Sequence, residues 1–303
     1  MISLVTRALL LGCLLFGGMW VSAAPATANT LTMGSIGNQP MEEIQLFSPV
    51  VHYLATQLAP QGITKGRVVV AASIQEMADL MQSGRVDLYL DSPLPALLVD
   101  HLSGGNMVLR RWKQGQAEYH STIFVKQDGP IHTLAQLAGQ LVGFKDPFSS
   151  SSYLLPRIAM EQAGLQLADM TNRQGKVPAD KIGFVFTNDR ETNLFWVVTG
   201  KTVAGAMSPE ELAKQAKGDR NTLRIIHETV TIPRHVVNLR GDLPEPLAKA
   251  LIEALLAMEH STTGKPILDN FEQTTRFDPI PPATRSRLQE MTPAVLAILG
   301  GHP

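Results

Sequence analysis

The chain has a single cysteine, Cys13, in 303 residues. One thiol excludes an intrachain disulfide and any paired-cysteine metal or redox motif. Charge is also sparse: 17% of residues are charged, 26 basic against 27 acidic, for a net charge of -1. At a pI near 6.7 there is no basic excess to hold a long polyanion, so nucleic acid is not an expected partner. The eight histidines show no HExxH spacing, and the chain carries no G-x-S-x-G elbow. "TGKT" (199–202) resembles the end of a phosphate-binding loop, but Phe195 stands where that motif needs glycine, and a helical stretch precedes it. It reads as the turn that closes a helix. Nothing here argues for an enzyme, a metal or a cofactor.

What is present begins with an apolar run. Arg7 is followed by apolar residues from Ala8 to about Ala24 and by small-residue sites at 21–23 and 26–28. That is the pattern of a secretory signal peptide over residues 1–28. An uncleaved anchor is the alternative, because the run approaches the ~20 residues that span a bilayer. A lipoprotein box at Leu10–Cys13 would leave a very short apolar region. Cleavage after Ala28 is favoured and leaves an exported chain with no thiol, 25 basic and 27 acidic residues.

The remainder alternates strand and helix patterns. Strands are expected at 31–36, 66–72 and 86–90, with helices at 41–59 and 73–84. Pro49 sits at a boundary or kink of the first helix. Ser73 and Glu76 have capping-box spacing at the start of the second, and "DSPLP" (91–95) reads as a turn. A second block repeats the pattern: strands at 119–126, 140–144, 181–186 and 203–207, helices at 131–139, from Tyr153 to Gly164, and at 191–200. One strand over 222–240 leaves this block, and the C-terminal part is helical. This predicts two mostly parallel α/β sheets flanked by helices. Extended segments near 117–125 and 224–238 join them as a two-segment hinge, with a ligand cleft between the lobes. The boundaries are 29–118 plus 231–303 for lobe 1 and 119–230 for lobe 2.

The most informative stretch is "FKDPFSSSSYLLPRIAMEQAG" (144–164). Four serines stand between a strand and a helix. One serine satisfies a helix cap. The surplus hydroxyls, with the free N–H groups and dipole of the helix start, suit a phosphate-like anion. A serine-rich linker is the bland alternative.

This stretch resembles the signature of the periplasmic phosphate/phosphite/phosphonate-binding proteins of ABC importers, type II periplasmic binding proteins. "LMQSGRVDLYLDSPLP" (80–95), "AEYHSTIFVK" (117–126) and "ALLAMEHSTTGKPIL" (254–268) are similar to further parts of that family. The resemblance implies that Ser149, Ser150 and Ser151 hold ligand oxygens and that the Tyr119 hydroxyl joins them. The chain departs from the family pattern at Ile74, at Ser92–Pro93, at Ala96, at Arg190–Glu191 in place of a His–Asp pair, and at Val203 in place of a carboxylate.

Arg190, at a helix start facing the cleft, could grip an oxyanion bidentately or pair with Asp189 or Glu191. Asp91 could meet an amine on the ligand or be a strand-end turn aspartate; Ser92 follows it. His120, beside Tyr119, is the one candidate base were the cleft catalytic. Glu42–Glu43 and Glu210–Glu211 read as solvated helix faces. The expected protein is a periplasmic monomer that captures a small oxyanion for an ABC permease. A membrane sensor such as a receptor kinase is the alternative partner. A periplasmic enzyme and a scaffold with a vestigial cleft are the competing classes.

Overall fold

The computed structural model describes residues 29–171, 175–216 and 220–299; the signal-peptide expectation for 1–28 lies outside them. The first block runs β1 (Thr30–Ile36), α1 (Pro40–Gln57), β2 (Lys65–Ala71), α2 (Ile74–Gln82), β3 (Leu88–Asp91), α3 (Pro93–Ser103) and β4 (Asn106–Arg111). Two short segments follow, β5 (Glu118–Tyr119) and β6 (Thr122–Lys126). The second block continues with β7 (Leu141–Phe144), a π turn at Ser150–Leu154, α4 (Leu155–Gln162), β8 (Gln166–Asp169), β9 (Lys181–Phe186), α5 (Arg190–Thr199), β10 (Ala204–Met207), α6 (Pro209–Gln215) and β11 (Leu223–Glu228). The chain ends with β12 (Ile232–Pro233), β13 (His235–Leu239), α7 (Glu245–Ala257), α8 (Gly264–Asn270), β14 (Phe277–Pro279) and α9 (Pro282–Leu299).

The described residues form two six-stranded sheets, in the orders β14-β4-β13-β3-β1-β2 and β11-β6-β10-β7-β9-β8. The α/β architecture with helices flanking both sheets is the expected one. Each sheet is mixed: strands joined through helices pair in parallel (β1 with β2 and β3; β7 with β9 and β10), whereas β13, β14, β6 and β11 pair antiparallel. Of these, β6, β11 and β13 flank the two crossings of the chain between sheets, where no helical crossover imposes a parallel return. β5 and β12, paired antiparallel as Tyr119 with Ile232, form a separate two-stranded ribbon.

Strand alternation divides the core of the first sheet. Leu88, Leu90, Val237 and Leu239 face a layer with α1, α7 and α8, while Tyr89 and Val236 face α2, α3 and α9. Gly66 has a backbone reason: a Cβ there would lie 2.6 Å from the Val51 carbonyl oxygen of α1.

Several local expectations changed on folding. α1 runs through Pro49 rather than stopping there. The prolines of "DSPLP" begin α3, since proline suits the first helical positions. The expected 131–139 helix is a single 3₁₀ turn, Leu134–Leu137. The extended 222–240 stretch is three strands. Ser73 caps α2 through the Glu76 N–H, but the Glu76 carboxylate accepts from Ala72 N rather than closing a full capping box.

Candidate functional site

The loops after β1, β3, β7, β9 and β10 converge on one cleft of about 600 Å³ between the two sheets. Open α/β sheets place ligands at these carboxyl ends. Tyr119 and Arg234, from the two crossing segments, line its inner end.

The serine turn is built by local bonds. Asp146 accepts from the N–H of Phe148 at 2.9 Å, and the Ser149 hydroxyl accepts from Ser152 N at 3.0 Å. The Ser149 carbonyl accepts from Leu154 N and that of Ser150 from Leu155 N, five residues on. This widened turn is of a kind frequent at functional sites. The four hydroxyls have separate tasks. Ser149 caps. Ser150, buried, accepts from Leu94 N across the cleft at 3.3 Å. Ser151 lines the cleft, and its carbonyl accepts from the Ser121 hydroxyl. Ser152, which does not line the cleft, accepts from Lys145 N at 2.9 Å and Asn193 Nδ2 at 3.3 Å, fixing the turn to its own sheet.

Seven of the eight candidate residues line the cleft: Asp91, Ser92, Tyr119, Ser149, Ser150, Ser151 and Arg190. His120 does not, which corrects its candidacy as a base. Successive residues of an extended segment point to opposite sides, so with Tyr119 inward His120 turns away, Nε2 lying 3.8 Å from Glu228.

Arg190 pairs with neither sequence neighbour. Its Nε is 3.1 Å from Glu211 of α6, while Asp189 caps α5 through Thr192 N. Asp91 is held at the end of β3: one oxygen accepts from Ser92 N at 2.6 Å and the other from the Tyr89 hydroxyl at 2.8 Å. Burial raises its carboxyl to about 6. Burial likewise pushes the Tyr119 hydroxyl up to about 12, so it stays a proton donor.

The residues that sequence reasoning missed are mostly charged. Glu43 and Glu211, read as solvated faces, both face the cleft, because each lies in the first turn of a helix that starts at a strand's carboxyl end. Glu43 accepts from the Ser35 hydroxyl at 2.7 Å, and burial raises its carboxyl. Lys145 pairs with Asp146 at 2.8 Å; its place beside the serines was the one visible signal. Lys113, Arg234, His235 and Glu272 have no local signature.

Glu272 comes from the loop after α8, at φ 50°, and binds Lys113 at 2.5 Å and Arg111 at 3.1 Å. Burial alone would raise its carboxyl, but these two cations outweigh it and hold Glu272 at about 2. Burial lowers Lys113 to about 8 and Arg111 to about 10 despite that partner. Burial and the surrounding cations push His235 well below its usual range, so it is neutral.

Chemically the cleft offers a turn of hydroxyls and N–H groups, a protonated tyrosine and buried cations. These are donors suited to binding an anion.

XAC2383 from Xanthomonas citri, solved bound to a chloride ion and, in a second structure, to ATP, shares the fold with TM-score 0.84 at 24% identity; the chloride structure covers 90% of this chain and 99% of that one. PhnD1 from Prochlorococcus marinus, in complex with methylphosphonate, matches with TM-score 0.64 at 18% identity over 90% of this chain and 99% of its own. The periplasmic sulfonate-binding protein SsuA from Methylobacillus flagellatus matches with TM-score 0.57 at 14% identity over 90% and 87%. At these identities the likeness speaks for the type II binding-protein fold. The family model for the phosphonate periplasmic substrate-binding protein of ABC transporters matches residues 36–284. The chain therefore belongs to the periplasmic substrate-binding proteins of phosphonate-type ABC transporters.

Proposed function

We propose that the protein captures a small tetrahedral oxyanion, a phosphonate, phosphite or phosphate-like group, in the cleft between its lobes and presents it to an ABC importer. One observation carries this reading: the serine turn, Tyr119 and Arg234 converge on one cavity, so donors from both blocks and both crossings surround one space. The ligands bound in the similar structures, methylphosphonate, chloride and ATP, are all anions, which supports the choice of charge.

Residues 29–118 with 231–303 form one lobe and 119–230 the other, and the β5/β12 ribbon is the hinge between them. The lobe-1 end of that hinge is held firmly. Glu118 accepts from Arg110 at 2.9 Å and from the Thr284 hydroxyl at 2.6 Å, and Arg287 donates to the Thr231 carbonyl. Closure of this kind excludes water and strengthens each bond to the anion. The protein acts as an exported monomer, with residues 1–28 removed as a signal peptide.

Asp91 is a weak candidate for an amine on the ligand, because both its oxygens are engaged. Isothermal calorimetry against phosphate, phosphite, methylphosphonate, methanesulfonate and ATP tests the reading. Saturable binding of a phosphorus oxyanion without turnover is the expected result. Silence across the panel overturns it.

A further inference from the structure

The positive groups of the inner cleft share too few partners. Glu211 is 3.1 Å from Arg190 and 3.7 Å from Arg234, and Glu272 serves both Arg111 and Lys113. Two carboxylates thus answer four cations, whereas Lys145 has Asp146 to itself. Arg234 is the least satisfied. It is 4% exposed, its guanidinium lies 4.4 Å over the Tyr119 ring, and its Nε has no hydrogen-bond partner. At 3.7 Å the Glu211 contact is an ion pair beyond hydrogen-bond length. The backbone of Arg234 is pinned at the hinge, its N–H donating to the Ala117 carbonyl at 2.8 Å. A desolvated guanidinium with an idle Nε edge is costly unless something accepts from it. A guanidinium lining the cavity suits a two-oxygen contact with an oxyanion.

We propose that Arg234 is the principal charged contact of the bound oxyanion and makes the site select a doubly charged tetrahedral head over a singly charged one. The inference rests on the solute-capture reading above. The head sits between the Arg234 guanidinium and the hydroxyls of Tyr119 and Ser151.

The carboxylates around the cleft bear on the choice of charge. The Glu211 and Glu272 carboxylates are held by cations, and both Asp91 oxygens are engaged by Tyr89 and Ser92. Glu43, whose carboxylate accepts from the Ser35 hydroxyl alone, is left as the acceptor for the O–H of a protonated oxyanion. Glu43 and Asp91 face the same cavity, and among the described residues neither has a cation within ion-pair distance. They repel a doubly charged head more than a singly charged one, so the preference for two charges rests on Arg234 and the neighbouring cations.

Methylphosphonate and methanesulfonate have similar tetrahedral heads and differ in charge at pH 8.5, which makes them the probes. The wild-type protein is expected to bind methylphosphonate about tenfold or more tightly than methanesulfonate by calorimetry. Arg234→Gln is expected to lose about tenfold or more of methylphosphonate affinity and to bring the ratio close to one. Glu211→Gln, which frees Arg190 and Arg234 from their shared counter-ion, is expected to tighten methylphosphonate binding, and it keeps the test decisive should Arg234→Gln fail to fold. Equal wild-type affinity for the two probes overturns the selection. Undiminished methylphosphonate affinity in folded Arg234→Gln, or weakened binding in folded Glu211→Gln, overturns the role of Arg234. Wild-type silence toward every anion of the panel would instead sink the capture reading itself.

Discussion

Replacing Ser150 by alanine separates two kinds of serine in the same turn. Pro93 and Pro95 have no N–H, the Ala96 N–H is 3.4 Å from the Ser92 carbonyl, and Ser92 makes no side-chain cap. Leu94 therefore offers a free N–H in the first turn of α3, and it is capped from across the cleft by the Ser150 hydroxyl at 3.3 Å. Leu94 is fully buried and Ser150 1% exposed, so water cannot replace the lost partner. A buried donor left unsatisfied costs ~1–3 kcal/mol, and the long bond places the expected loss near the lower half of that range. For a domain pair of this size it corresponds to roughly 2–4 °C in Tm per kcal/mol.

Ser151→Ala is the control. Its hydroxyl faces the cleft, so stability should stay within ~0.5 kcal/mol while affinity for the bound oxyanion falls about tenfold. Urea unfolding of both variants, with calorimetry on the same preparations, reads the two effects. If Ser150→Ala unfolds at the wild-type midpoint, or Ser151→Ala proves the less stable of the two, the division of labour among the hydroxyls is wrong.

Two other outcomes follow from the same structure. Burial raises the Asp100 carboxyl to about 7, only partly offset by the Asn238 amide donating at 2.6 Å. The folded state then holds a proton that the unfolded chain releases near 3.8, so this group's contribution is present below pH ~4 and is lost as pH rises through ~7. Asp100→Asn should accordingly be more stable than the wild type by about 1–3 kcal/mol at pH 8, with the advantage gone near pH 4; parallel stability curves for the two proteins would refute it. Small-angle scattering at saturating methylphosphonate should give a smaller radius of gyration than the free protein, and an unchanged profile would remove the hinge from the account.

Features closed within three or four residues were legible in the sequence. The Ser73 cap, the left-handed Gly200 that ends α5 at φ 77° and the serine turn at a helix start all depend on neighbours in the chain. Backbone donors at a helix end must find acceptors nearby, so residue type and spacing betray them.

The charges of the cleft obey no such rule. Ser150 meets Leu94 from 56 residues away, Arg111 meets Glu272 from 161, and Arg234 reaches Glu211 only because two crossings bring the end of β12 against α6. Glu43 and Glu211 read as solvated because their helices look amphipathic in isolation, yet strand order turns those first helical turns toward the cleft. Local capping chemistry thus established that the chain holds an oxyanion-suited turn. Which hydroxyls remain free for a ligand, and which buried cations stand opposite them, was decided by sheet order and the double crossing, because Coulomb and hydrogen-bond partners are chosen by distance in space and not along the chain.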